Sequence, residues 1–328
     1  MELTKTKEWL QVDLDVFEKA SGNVPFSLTN DYLFRALMQE DEVARIDLIQ
    51  SVVRFPKGIT ITDTKVLNPI KLGESIKSKE YRLDILVSLN NQYNVNMEMQ
   101  VTNQADWPER SLIYLCRSFD KLNKGQMYGQ AKTAIHIGLL NYDLFPEKPE
   151  FHSSWAVMNT RTNKVYSDKF QLYMVCLNQT KLATEEDRAC HLDKWARLFR
   201  AKTWEEVKMI ANGNPALTQA AATIHRMSED EQIQYECLQR ERALLFEASK
   251  RHFHQELEKK HKKLEAEHQQ LEADYQQLEA DYSDAQKQLS QQTDQITRQA
   301  DQIARQADQI RRLKEQMGLM DGSPEFRV

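Results

Sequence analysis

The chain has 328 residues, with 44 basic and 49 acidic side chains and a net charge of -5. That length exceeds one average domain of about 100–200 residues, and the near balance of charge excludes a wholly polybasic nucleic-acid binder. There is no run of 18 apolar residues to cross a membrane, and the N-terminal stretch MELTKTKEWL lacks the apolar core of a signal peptide.

Cys116, Cys176, Cys190 and Cys237 form no CxxC pair and no disulfide framework. They point to a reduced, cytoplasmic protein rather than a cysteine-built zinc site. The sequence also lacks GxGxxG, a phosphate loop and HExxH.

The first strong pattern spans 30–55. Leu33, Phe34, Leu37, Met38, Val43, Ile46, Ile49 and Val52 recur at helical spacing, with Thr29 or Asn30 as a cap. Short β-like runs follow at 59–67, 81–89, 93–101, 133–140, 155–161 and 170–177. A helix over 108–122 separates the third run from the fourth. Residues 185–250 are helical again, broken at Gly213-Asn214-Pro215. Trp9, Trp107, Trp155, Trp195 and Trp204 show no stacking pattern and are expected in the core.

Beyond residue 250 the composition collapses to Glu, Gln, Lys, Asp, Ala and Leu. LEAEHQQ, LEADYQQ and LEADYSD are consecutive seven-residue units, as are QTDQITR, QADQIAR and QADQIRR. Such periodicity predicts a coiled coil over 251–317, with ~85 Å of rod from His261 to Met317 at about 1.5 Å per residue. Its narrow apolar stripe predicts self-association as a homodimer or small homo-oligomer. Polar residues recur at core positions: His254, His261 and His268, then, in the continuous frame, Gln292, Gln299 and Gln306; the alternative frame there pairs isoleucine with Ala300 and Ala307. Stacked histidines can bind metal, but polar core residues that set register are the commoner case. The run Lys259-Lys260-His261-Lys262-Lys263 reads first as a solvated helix face and second as a nucleic-acid contact. Residues 318–328 carry Gly and Pro and are expected to be loose.

Residues 81–101 are the most informative. Tyr81, Leu83, Ile85, Val87 and Leu89 share one strand face, and Tyr93, Val95, Met97, Met99 and Val101 another. For the apolar faces to coincide, odd residues must pair with odd. A two-residue turn breaks that rule, whereas the loop Asn90-Asn91-Gln92 satisfies it and pairs Leu89 with Tyr93. The same register sets Asp84 opposite Glu98, with Cβ atoms roughly 4.5–5.5 Å apart, and aims Gln100 at the same space. A polar sheet face is commonly just solvated. Directly opposed carboxylates are destabilising, however, and a divalent cation held by hard oxygen ligands relieves them.

KVLNP (65–69), YRLDILV (81–87), NMEMQ (96–100) and ERSLIYL (109–115) resemble the Rpn group of the PD-(D/E)XK nuclease superfamily, recombination-promoting nucleases or transposases. NDYLFRALM (30–38) is similar to that group's helical opening, and KWARLF (194–199) to its helices after the nuclease core. The segment GQMYGQ (125–130) follows the group's pattern only loosely. The resemblance covers residues 26–250. It implies a restriction-endonuclease-like α/β core, a mixed sheet flanked by helices, over 26–184. An N-terminal extension (1–25) precedes it and a helical extension (185–250) follows.

The resemblance also assigns residues. Asp84 matches the metal-binding aspartate and Glu98 the acid of the E-x-K position. Gln100 stands where many relatives have lysine and where the Rpn group has glutamine. Asp31 matches a further acidic position, and Arg110 and Tyr114 match an R-x-x-x-Y helix beside the site. The implied cofactor is Mg²⁺ or Mn²⁺, held by Asp84, Glu98 and the backbone carbonyl of Met99, and the implied partner is DNA. Gln100 is a neutral amide and cannot act as a base. Arg82 or Arg110 would supply the positive charge that a lysine gives elsewhere. The expected activity is Mg-dependent endodeoxyribonuclease. The alternative is a non-catalytic interaction protein with a nuclease-like core.

Overall fold

The computed structural model describes residues 13–56, 58–70, 85–103, 106–119, 122 and 124–317. It divides into two compact units, 1–246 and 247–328. Trp9, Arg82, Asp84 and the tail at 318–328 lie outside the described residues.

Helix α1 is described over 13–19. Where the sequence predicts one helix over 30–55, there are two, α2 (Asp31–Glu40) and α3 (Glu42–Val53). Asp41 makes the break. Its backbone is extended, and its side chain accepts from the amide of Ala44 at 2.9 Å. The same carboxylate also accepts from Gln219 and Thr223, both at 2.9 Å. An aspartate that caps one helix and anchors another does more as a corner than it would inside a helix. Asn30 caps α2 by accepting from the amides of Tyr32 and Leu33.

The strands are β1 (Thr64–Val66), β2 (Ile85–Leu89), β3 (Tyr93–Gln100), β4 (Thr133–Leu140), β5 (His152–Ala156) and β6 (Phe170–Cys176). They form one six-stranded sheet in the order β1-β2-β3-β4-β6-β5. β3 pairs with β4 and β4 with β6 in parallel, while the other pairings are antiparallel. The fifth run lies earlier than the sequence pattern suggested, at 152–156 rather than 155–161. Alternation is weak on this edge strand, whose residues Ser154 to Ala156 are exposed. Trp155 sits there, 45% exposed, which corrects its expected place in the core. Trp107, Trp195 and Trp204 are buried as expected.

The hairpin register is the one the sequence demands. Leu89 pairs with Tyr93, Val87 with Val95 and Ile85 with Met97. Asn90 and Asn91 turn the chain with φ of 48° and 53°, a left-handed region that asparagine tolerates better than most residues. The Asn90 side chain also accepts from the amides of Thr62 and Asp63, which fixes the loop against the segment entering β1.

Helices cover both sheet faces. Val95, Met97 and Met99 join Ile135, Ile137 and Leu139 in the main core, together with Phe34, Leu37 and Ile49 from α2 and α3. The other face lies under α4 (Trp107–Phe119), which connects β3 to β4. Here Trp107 packs with Leu140 and Met174. Gly138 makes that contact possible: a Cβ there would lie 2.5 Å from Cζ2 of Trp107 and 2.7 Å from Sδ of Met174. The absent side chain therefore sets how closely the first turn of α4 approaches β4.

The C-terminal half of the first unit is α5 (Glu185–Ala189), α6 (Leu192–Arg200), α7 (Trp204–Ala211), α8 (Pro215–Ser228) and the start of α9 (Glu231–Gln316). It has more breaks than the one at Gly213-Asn214-Pro215. His191, with φ 62°, separates α5 from α6, and Thr203 caps α7. In α9 the heptad leucines and isoleucines, including Leu264, Leu271, Leu278, Ile296 and Ile303, are 65% to 68% exposed. Lys259 engages Glu256 at 2.9 Å and Lys263 engages Glu267 at 3.5 Å, as expected of a solvated helix face.

Candidate nuclease site

β3 delivers Glu98, and α4 delivers its partner. Period-two alternation sends Asn94, Asn96 and Glu98 to the face beneath α4. This face is not the wet polar surface that alternation alone favours. Ser88, Asn94, Asn96 and Glu98 are all under 9% exposed. Asn94, Asn96 and Glu98 each have a partner within the protein. The Asn94 amide donates to the carbonyl of Ser118 at 3.1 Å. The Arg110 guanidinium forms an ion pair with Oε1 of Glu98.

Arg110 also lies over the ring of Tyr114, one helical turn on, at 5.6 Å from its centroid. Burial opposes the arginine's charge, but Glu98, Tyr114 and Asp106 outweigh it and raise its pKa above the ordinary value. The guanidinium is therefore a fixed positive charge.

Behind Tyr114 is His136, wholly buried on β4. Its ring stacks on Tyr114 at 6.0 Å with 22° between planes, and it meets Trp107 at 5.9 Å. Parallel pairing places His136 beside Asn96, and its Nδ1 lies 3.1 Å from the Asn96 amide nitrogen. Burial, reinforced by Arg110, pushes the His136 pKa down to about 3, so the ring is neutral. Tyr142, just after β4, has its pKa raised by burial and by Glu98.

The neutrality of His136 has a consequence in acid. The unfolded chain takes up a proton near pH 6.5, whereas the folded chain does so only near 3. This stability is intact above 6.5 and drains as pH falls toward 3, at about 1.4 kcal/mol per pH unit. Urea unfolding at pH 7 and pH 5 should differ by about 2 kcal/mol from this group. His136→Phe should shrink that difference by the same amount. An identical pH dependence in the variant would show that the ring is not the titrating group.

The other predicted residues are placed as follows. Gln100 ends β3, and its amide nitrogen donates to the carbonyl of Thr102 at 3.0 Å. The Met99 side chain is buried in the main core. Asp31, the first residue of α2, is gripped by Arg240 of α9. The arginine's Nε lies 2.8 and 2.7 Å from the two carboxylate oxygens, and its Nη2 lies 2.6 Å from Oδ2. Asn30 adds a bond to the same helix, donating to the carbonyl of Cys237 at 3.1 Å. Tyr128 of the GQMYGQ segment is 92% exposed.

Three of these residues escaped the sequence reading. His136 is a lone histidine inside an apolar strand, which gives no signal until β4 lies parallel to β3. Tyr142 follows the same strand. Arg240 is one of many charged residues on a polar helix, 209 positions from the aspartate it holds.

A family model for the PD-(D/E)XK nuclease family transposases matches residues 28–253. The chain belongs to that family. No curated protein and no solved structure matches it. The family domain thus includes the sheet, both helical layers and the start of α9. Among the described residues, no group of three or more His, Cys, Asp or Glu side chains could hold a metal ion. The described register ends at Ile85 opposite Met97, one residue short of Asp84. Glu98 is a buried carboxylate, the hard oxygen donor a divalent cation takes, so the donor chemistry fits such an ion, although Arg110 holds its Oε1.

Proposed function

We infer that this family member is a divalent-metal-dependent endonuclease that hydrolyses phosphodiester bonds in DNA. The observation that carries this reading is Glu98: a carboxylate 5% exposed, on an inner strand of the sheet of a PD-(D/E)XK domain, beside the fixed charge of Arg110. Asp84, Glu98 and the carbonyl of Met99 would hold Mg²⁺ or Mn²⁺. The ion, when bound, polarises the phosphate and makes a water nucleophilic at neutral pH. The register that an Asp84–Glu98 pair requires is the one β2 and β3 adopt as far as Ile85.

The chain's own groups do the rest. Gln100 can accept or donate a hydrogen bond but cannot take a proton, so it orients the attacking water. Arg110 or Arg82 neutralises charge that develops on the phosphate. Tyr114 and His136 set where Arg110 stands. Asp31, which the resemblance offered as a further acid, has both carboxylate oxygens held by Arg240.

The direct experiment incubates purified protein with supercoiled plasmid, with Mg²⁺ or with EDTA. Metal-dependent nicking or linearisation is expected. A protein that binds plasmid without ever cutting it would be the DNA-binding or interaction module that the sequence left open.

The exposed heptad stripe of α9 supports assembly through a coiled-coil dimer, parallel if the continuous frame holds, since isoleucine then stands at the position that favours two strands. Sedimentation of the full chain and of a chain ending near residue 250 tests this. Loss of the oligomer on truncation is expected, and the same mass ratio in both would remove α9 as the assembly element. The cleavage rates of the two chains would show whether the rod restrains the nuclease.

A further inference from the structure

Glu98 has two claims on it. In the structure its carboxylate is ion-paired with Arg110. On the reading above, which this inference rests on, the same carboxylate is a metal ligand. A buried carboxylate engaged by a guanidinium cannot give the same oxygen to a second cation without cost, because two positive charges would crowd one acceptor.

Arg110 is built to let go. The Glu98 side chain is 6% exposed, whereas that of Arg110 is 30% exposed. The carboxylate is thus fixed in the sheet, whereas the Arg110 side chain, although its Nε is buried, is partly open to solvent. Its aromatic seat stays in place whatever the guanidinium does, because Tyr114 is stacked on the buried His136. Arginine's planar fork matches a phosphate as well as a carboxylate.

We propose that Arg110 is a latch on the metal site: it occupies Glu98 in the DNA-free protein and releases it when a DNA phosphate takes the guanidinium. Metal binding is then weak without DNA and strengthened by it. Cleavage chemistry is assembled only on substrate, and a free ion is not held in readiness. Arg110 acts here as a positioning residue for Glu98 and as an acceptor of phosphate charge in turn. The coupling is reciprocal, so metal tightens DNA binding by the factor with which DNA tightens metal binding.

The test is Mn²⁺ binding to the full chain, without DNA, by calorimetry, with each variant checked for folding by its thermal melt. Arg110→Met should bind Mn²⁺ about tenfold more tightly or better than the wild type, the effect of removing a charged hydrogen-bonded competitor. Its cleavage at saturating Mn²⁺ should nonetheless be slower. A merely structural arginine would weaken both. Arg110→Gln, which keeps a polar head without the charge, serves if the methionine variant does not fold, and should also bind more tightly. Adding a short nuclease-resistant phosphorothioate duplex should tighten Mn²⁺ binding in the wild type more than in either variant. Unchanged or weaker Mn²⁺ binding in the folded variants overturns the latch. Glu98→Gln separates this from failure of the metal reading: if it binds Mn²⁺ like the wild type, Glu98 is no ligand, and the latch falls with that reading.

Discussion

Asp84→Ala and Glu98→Gln should each lower Mg²⁺-dependent plasmid cleavage by at least about a thousandfold, equivalent to ~4 kcal/mol of lost transition-state stabilisation. If Asp84 and Glu98 are the two carboxylate ligands proposed above, a site with one of them left would not hold a divalent ion against water. Gln100→Ala should lose less, about a hundredfold to a thousandfold, as for removal of one orienting donor. Single-turnover rates at one fixed metal concentration make the comparison, because they separate chemistry from product release. Unaltered cleavage by Asp84→Ala would remove that residue from the site, and an unchanged rate in Gln100→Ala would end its catalytic role. Glu98→Gln carries a second effect, since it leaves the Arg110 charge beside a neutral amide. Its melting temperature should drop even though the amide is nearly the same shape.

Asp31→Ala should cost about 3 kcal/mol of folding stability, because it takes the carboxylate away from a largely buried guanidinium. The Asp31 and Arg240 side chains are 8% and 14% exposed, and three short nitrogen–oxygen contacts join them. Arg240→Met should be destabilising for the converse reason. The double variant Asp31→Leu/Arg240→Met should recover most of the loss, since removing both charges together is far cheaper than removing one. Tryptophan fluorescence in urea reads this in the right unit, as Trp107, Trp155, Trp195 and Trp204 all precede residue 247. Additive losses in the double variant would mean that the pair contributes nothing as a pair. The result also bears on catalysis: an Asp31 variant that loses cleavage only as far as it loses folded protein is a structural aspartate rather than a ligand.

The sequence by itself determined the local layout. Period-two alternation in 81–101 fixed the hairpin register, because a slip of one residue would send every apolar side chain to the wrong face. Seven-residue repeats determined that the C-terminal region is one long helix. Asn30, with its short acceptor side chain, determined where α2 begins. These are all consequences of interactions between near neighbours in the chain. The division of α2 from α3 at Asp41 was not of that kind, since the corner is held by Gln219 and Thr223, nearly two hundred residues away.

Only the tertiary structure decided what the polar face of β3 is for. Alternation says that Asn94, Asn96 and Glu98 point one way, but not whether water or protein meets them. The answer came from α4, whose approach depends on the missing side chain of Gly138. It came equally from parallel pairing, which sets His136 beside Asn96 across forty residues. Arg110 could be named from a motif, yet its ion pair with Glu98 exists only because α4 crosses β3 at that point. Burial then turns such contacts from weak surface pairs into strong ones, by excluding the water that would compete for each charge.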